Sequence, residues 1–429
     1  MQNRNKGITL IALIITIIIL LILVGVSINL AIKGDLFGSA EKAVSGTNDK
    51  TAQEQTRVDE LMGELGRVEE QQRQDNLPGT RVTENTKYVS NGKTAWIPAG
   101  FTVSKAEGET TIDGGLVIYL IQDKTEEEIK SLTWTGTELE NLKKTYDQFV
   151  WIPISHEQIN NMFICQAKTT SNGSCNIVAE NGTAKCTTHN SIQMAGRLYA
   201  SNTGESYNNP KKEVYTANTG LREPDVVDSY DGNSAYLYNL TSILGSEYDA
   251  KDKFKNILQT DYNEIVALIY NAKGYYVGRY ETSNLTPTKG TAINVVAGTN
   301  FGISNINWYC MYAQQKAYTT NKQLKSVKSS MILGTCHDQM LEFVNVAGKY
   351  DVTKAGKVGH TSSKFTTKPY LTGGVEYNEN YSGYETEPYK DLSKNIYDLE
   401  GNVCEWTTEA LDTSYRVYRG RLLQQQLFC

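Results

Sequence analysis

Chemistry concentrates in one stretch, Asn395-Ile-Tyr-Asp-Leu-Glu-Gly-Asn-Val-Cys-Glu-Trp406, which puts three carboxylates, two amides and a glycine beside a tryptophan and several apolar side chains. Gly401 and Asn402 accept a positive φ cheaply, so a turn opens there and delivers Val403 and Trp406 to a core. Asp398 and Glu405 lie on either side of that turn, where their carboxylates can converge with the carbonyls of Gly401 and Val403. An all-oxygen set of this kind suits a hard cation such as Ca²⁺. The same residues also fit an ordinary Asx-turn with solvated carboxylates, and spacing alone leaves both open.

Other reactive side chains are scattered. Cys165, Cys175 and Cys186, with His189 shortly after, lack the close cysteine pairs of zinc sites; a disulfide within that loop, or plain thiols, fits better. The four histidines, His156, His189, His337 and His360, form no ligand motif, and His337 reads as structural or solvent-facing. Nothing in the spacing favours a Ser/His/Asp or Cys/His arrangement. The net charge of −6 offers no basic field, which argues against a nucleic-acid partner. With 429 residues and 39% hydrophobic content the chain has room for two or three domains and at least one substantial core. Its 27 tyrosines and 35 glycines, against 8 prolines, point to a loop-rich, surface-exposed protein.

Several elements must hold the 395–406 stretch. Residues 8–32 carry no charge and are rich in Ile, Leu and Val, long enough for a membrane-spanning helix. Arg4 and Lys6 precede them, which leaves the N-terminus in the cytoplasm and the rest outside a cell membrane crossed once. Residues 33–75 turn polar, and Val58, Leu61, Met62, Leu65 and Val68 recur at helical spacing, as in a stalk. A small β module follows over 80–125, with strands over 94–103 and 115–121. An acidic helical stretch, 124–142, leads into a further strand from Asp147.

Two resemblances add to this reading. Lys6-Gly7-Ile8-Thr9-Leu10-Ile11 resembles a type IV prepilin leader (residues 1–7), which implies cleavage between Gly7 and Ile8. Ala12 stands where pilins carry a glutamate, a departure that favours a membrane anchor over assembly into a pilus. The second resemblance is carried by Tyr397–Trp406 together with Tyr415-Arg-Val-Tyr-Arg-Gly420, which is similar to the "G-N-V-W-E-W … R-V-x-R-G-G" signature of the formylglycine-generating-enzyme, or sulfatase-modifying-factor, family. Weaker pieces stand in the same order: Tyr275–Thr282 as a strand, Ile306–Gln314 as a helix with Trp308 and Tyr312 on one face, and Met331–Phe343 as a helix with Thr335 and Asp338 in capping-box positions.

This resemblance implies an α+β, C-type-lectin-like domain over 147–429, with an insertion at about 165–255, of the kind shared with diversity-generating-retroelement variable proteins. It also implies a structural Ca²⁺ held by the side chains of Asp398 and Glu405 and the carbonyls of Gly401 and Val403. Cys404 departs from the family's large residue, a change that bears on packing. The family's copper-binding cysteine pair lies beyond the "R-V-x-R-G-G" strand, and only Cys429 stands there, so the expectation is no enzymatic activity. The tail after Gly420 resembles a shifted reading frame whose restored version would be rich in Tyr and Asn, which makes a C-terminus truncated before its closing strands the expectation. The reading is a membrane-anchored, non-catalytic binding protein for an extracellular protein or glycan. The alternatives are a pilin-like, self-assembling subunit and an oxidase inactivated by truncation.

Overall fold

The computed structural model describes residues 56–57, 59–60, 62, 76–164, 177–187, 193–194, 199–200, 211–212, 240–248, 251–283, 293–297, 308–345, 392–397, 405–410 and 416–419. The chain divides into two compact units, Met1–Arg73 and Gln74–Cys429. In the first, Thr56, Arg57, Asp59, Glu60 and Met62 are helical and exposed, within the stretch expected as a stalk. The leader with Gly7 and Ile8, and the apolar run 8–32, lie outside the described residues. Among the described residues, no helix is long and apolar enough to cross a membrane.

The second unit mixes helices with small antiparallel sheets. Its centre is a four-stranded sheet built from Thr102–Val103 (β3), Val117–Leu120 (β4), Asp147–Pro153 (β5) and Gly274–Gly278 (β8), in the order β8-β5-β4-β3, each pair antiparallel. Both faces are covered, which is why β4 reads Val-Ile-Tyr-Leu without a polar residue. On one face Val117, Tyr119, Val150 and Ile152 pack with Ile129, Trp134, Leu142, Met340 and Ile396. On the other, Leu116, Ile118 and Trp151 pack with Ala95, Ile97, Ile293 and Tyr318.

Ala95 and Ile97 come from a hairpin of Thr86–Ser90 (β1) and Lys93–Ile97 (β2). Asn91 and Gly92 both hold positive φ in its two-residue turn, the geometry that matches strand twist. The Tyr276 hydroxyl donates to the Trp96 carbonyl at 3.0 Å and ties the hairpin to β8. The β module expected over 80–125 therefore does not stand apart from the domain expected from 147. Its strands β3 and β4 share a sheet and a core with β5.

Helices begin where side chains satisfy their first amides. The acidic stretch forms two helices, Glu126–Ser131 (α1) and Gly136–Thr145 (α2), and α1 opens on a reciprocal capping box between Thr125 and Glu128. Between them Leu132 turns extended, and Trp134 is buried edge-on against Tyr119 at 5.1 Å. Burying that ring outweighs continuing one helix. A second capping box, Ser155 with Gln158, starts His156–Met162 (α3). Past it, the hairpin Ile177–Glu180 (β6) and Thr183–Cys186 (β7) packs Ile177 and Ala184 against Tyr262, Val266 and Ile269 of Lys251–Ala272 (α4).

Trp308–Asn321 (α5) and Gly334–Asn345 (α6) are further helices of the core. Trp308 and Tyr312 lie on one face of α5 as expected, stacked at 5.3 Å. The capping box expected at Thr335 and Asp338 is not formed. His337 N–H donates to the Leu333 carbonyl at 2.9 Å, so the helix starts at Gly334 and Thr335 already lies inside its first turn. There the Thr335 hydroxyl is buried without a hydrogen-bond partner among the described residues. His337 is 4% exposed and so does not face solvent.

The central sheet carries a buried ion pair. Arg279, just after β8, donates from Nη2 to Glu109 Oε1 at 2.7 Å, and the two side chains are 2% and 4% exposed. Nη1 donates to the Tyr119 hydroxyl at 3.2 Å and to Gln148 Oε1 at 3.1 Å. The other Glu109 oxygen accepts from Ser104 and Tyr119. Burial alone would weaken the guanidinium's hold on its proton; Tyr280, Glu109 and Tyr119 around it more than offset this and keep it charged. Arg279→Met strands Glu109 as an uncompensated buried charge and is expected to cost about 3–5 kcal/mol. Urea unfolding of the variant measures this, and adding Glu109→Leu to it should recover part of the loss.

Candidate metal-binding turn

The two ends of the 398–404 segment are held by the described structure. On the upstream side, Leu392–Ser393 (β9) and Ile396–Tyr397 (β10) form a tight hairpin whose turn residues Lys394 and Asn395 both hold positive φ. Asn395 Nδ2 donates to the carbonyls of Gly108 at 2.9 Å and Gly115 at 2.7 Å, with Gly114 at 3.3 Å. That clasps the turn onto the loop that supplies Glu109. Gly115 has φ +92°, and a Cβ there would fall 1.9 Å from the Lys394 carbonyl oxygen, so only glycine allows this approach.

Beyond the turn, Ile396 enters the core and Tyr397 N–H donates to the Arg279 carbonyl at 2.9 Å. The Tyr397 ring stacks on Tyr280 at 4.9 Å, and the Arg279 guanidinium carbon lies 5.7 Å from its centroid. The last described residue before the turn is thus fastened to the buried ion pair through both backbone and ring.

On the downstream side, Glu405–Ala410 (β11) pairs antiparallel with Arg416–Arg419 (β12). Glu405 stands opposite Arg419 and Trp406 opposite Tyr418, with a register shift before Ala410 meets Arg416. Trp308 Nε1 donates to the Thr407 carbonyl at 2.7 Å, and Thr408 N–H donates to the Ile332 carbonyl at 3.1 Å. Trp406 packs against the aromatic cluster of α5, as expected for a residue delivered to a core.

Of the four candidate ligands, Asp398, Gly401 and Val403 lie outside the described residues, and Glu405 is described as the first residue of β11. The donor chemistry, two carboxylates and two peptide carbonyls, fits Ca²⁺ and fits poorly the softer metals that prefer nitrogen or sulfur. Among the described residues, no group of three or more His, Cys, Asp or Glu is placed to hold a metal ion.

The scattered candidates separate in space or fall outside the description. Cys165, Cys175, His189 and His360 lie outside the described residues. Cys186 is buried in β7. His156 stacks on Tyr270 at 4.1 Å, and its Nε2 lies 3.1 Å from the Tyr270 carbonyl, a structural placement. Missing from the sequence reading is the anchoring of the segment by Asn395, Tyr397 and Trp308. Asn395 next to Lys394 in a short hairpin carries a local turn signal, whereas the indole's partner is 99 residues away.

Trp308→Phe removes the donor to Thr407 while keeping most of the ring. It is expected to destabilise the unit by about 0.5–1.5 kcal/mol through loss of that hydrogen bond, read as a shift in denaturation midpoint at unchanged slope. No family model, curated protein or solved structure matches the chain.

Proposed function

We propose that the chain is a membrane-anchored, non-catalytic ligand-binding protein with a lectin-like domain outside the cell, braced by Ca²⁺ at Asp398, Glu405 and the carbonyls of Gly401 and Val403. The observation that carries the reading is the anchoring of the 398–404 segment at both ends, at Tyr397 to Arg279 and at Thr407 to Trp308. A cation there neutralises the two carboxylates and ties the segment between two fixed points. Millimolar Ca²⁺ outside a cell is enough to fill even a weak site of this class.

The interior supports a scaffold role. Glu109 and Asp147, both buried, have their oxygens engaged by Arg279, Ser104, Tyr119, Tyr318, Lys322 and the Val295 amide. The uncharged run in 8–32 supplies the anchor. The prepilin-like residues Lys6–Ile11 favour a second reading, a pilin-like subunit whose folded domain decorates a filament.

Two measurements test the proposal. At Ca²⁺ concentrations ten to a hundred times a dissociation constant of this class, binding is expected to stabilise the domain by about 1–3 kcal/mol. EGTA, or Asp398→Ala with Glu405→Ala, should therefore lower the melting temperature, and a melt indifferent to both overturns the Ca²⁺ assignment. For the anchor, intact cells are sheared and then treated with protease. The full chain should remain with the membrane after shearing and lose its folded domain to protease. Recovery in the sheared filament fraction supports the pilin-like subunit, and protection from protease overturns the extracellular placement.

A further inference from the structure

On the sheet face opposite Gln148, three side chains meet whose chemistry is that of a nucleophile, an acyl group and a proton carrier. Lys322 Nζ lies 2.9 Å from Asn294 Oδ1 and 2.8 Å from Asp147 Oδ2. The Asp147 side chain is 3% exposed and that of Lys322 19%, so the contact is largely withdrawn from water. Apolar and aromatic groups enclose it. Ile293, Val295 and Tyr318 are buried, the Tyr318 ring lies 5.7 Å from Nζ, and Phe149 meets that ring edge-on at 5.8 Å.

The backbones of both partners are fixed. Asn294 exchanges backbone hydrogen bonds with Ser283, at 3.1 Å from its own N–H and 2.9 Å to its carbonyl. Lys322 N–H donates to the Tyr318 carbonyl at 2.9 Å, and Gln122 Nε2 donates to the Lys322 carbonyl at 2.9 Å. Asp147 orders the group as a whole. Its Oδ1 accepts from the Val295 amide at 2.6 Å, next to Asn294, while its Oδ2 accepts from the Tyr318 hydroxyl at 2.8 Å as well as from Lys322. Holding an amine beside an amide in this way replaces an encounter with a unimolecular step.

We propose that Lys322 and Asn294 are joined by an intramolecular isopeptide bond, formed by the folded protein with Asp147 as the proton carrier. The Lys322 ammonium passes one proton to Asp147 Oδ2, the Asn294 amide turns about its Cβ–Cγ bond, and the neutral Nζ attacks Cγ. Asp147 returns the proton to Nδ2 as the Cγ–Nδ2 bond breaks and ammonia leaves. The proton that Nζ sheds on becoming an amide passes through Asp147 to that ammonia, giving ammonium. Nothing is oxidised or reduced, and no co-reactant is needed. The bond closes the chain between Asn294 and Lys322 and restricts the unfolded state as a disulfide would, without being open to reduction.

Mass spectrometry of the full-length protein tests this. The expected result is a mass lower by one ammonia, about 17 Da, and a branched peptide linking Asn294 to Lys322 after digestion. Lys322→Arg and Asn294→Ala should each return the unlinked mass, and Asp147→Asn, checked for folding by circular dichroism, should stay unlinked. A folded wild-type chain at its unlinked mass overturns the proposal. So does a deficit that maps to a self-cyclised asparagine with no branched peptide. The wild-type measurement decides the matter even where a variant fails to fold, and a linked Asp147→Asn chain overturns the role given to Asp147.

Discussion

The pairing of Arg279 with Glu109 is the constraint from which much of the domain follows. Each charge is almost wholly removed from water, and neither could be buried there alone except at a cost of several kcal/mol. The loop carrying Glu109 and the end of β8 must therefore meet, although 170 residues separate them. The weight of the pair lies less in what it adds than in the penalty on any arrangement that leaves one member unpaired. Because the same guanidinium holds Tyr119 on β4 and Gln148 on β5, the penalty also extends to the order of the strands. Because the Arg279 carbonyl and ring neighbours hold Tyr397, it reaches the start of the candidate metal-binding turn.

A second polar centre lies across the sheet. Asp147 and Gln148 are consecutive in β5, so the alternation of a strand sends one to each face. Gln148 joins the Arg279 network, and Asp147 gathers Tyr318, Lys322 and the Val295 amide. A strand carrying two buried polar residues at its start has one permitted register, since a slip by one residue exchanges both sets of partners. This accounts for an otherwise apolar strand, Phe-Val-Trp-Ile-Pro, beginning with an acid and an amide.

Legibility of the sequence tracks how local each signal is. The strands within 94–103 and 115–121 and the strand from Asp147 are visible in residue type, and they stand in the fold, as do the strand at Tyr275 and the helices near Trp308 and Met331 that the resemblance implies. Helix α4 carries an equally plain pattern, Phe254, Leu258, Tyr262, Val266 and Ile269 at three-to-four spacing, though the sequence reading passes over it. The capping boxes at Thr125 and Ser155 are local signals too. Thr335 shows the limit of such a signal: Gly334 lets the chain enter the helix sooner, and the box has no amide left to cap. At the candidate metal site the expected ligands Asp398 and Glu405 are read from carboxylates that flank Gly401-Asn402 in the sequence. The clasp of Asn395 on Gly108 and Gly115 is not, because its acceptors are backbone carbonyls that any residue type could supply.

By itself the sequence determined the elements, the apolar N-terminal run and the oxygen donors of the 398–405 stretch, since each depends on residue types within a few positions and on the periods of helix and strand. Tertiary structure alone decided that the strands at 102–103 and 117–120 belong to the same sheet as the strand from Asp147. It alone brought Glu109 to Arg279 and Lys322 to Asn294 and Asp147. A buried charge is satisfied by whichever opposite charge or dipole the packed core delivers, and chain distance carries no record of that choice. The physical reason is desolvation: once water is excluded, every polar group must find a partner in the protein, and only the complete fold specifies which one.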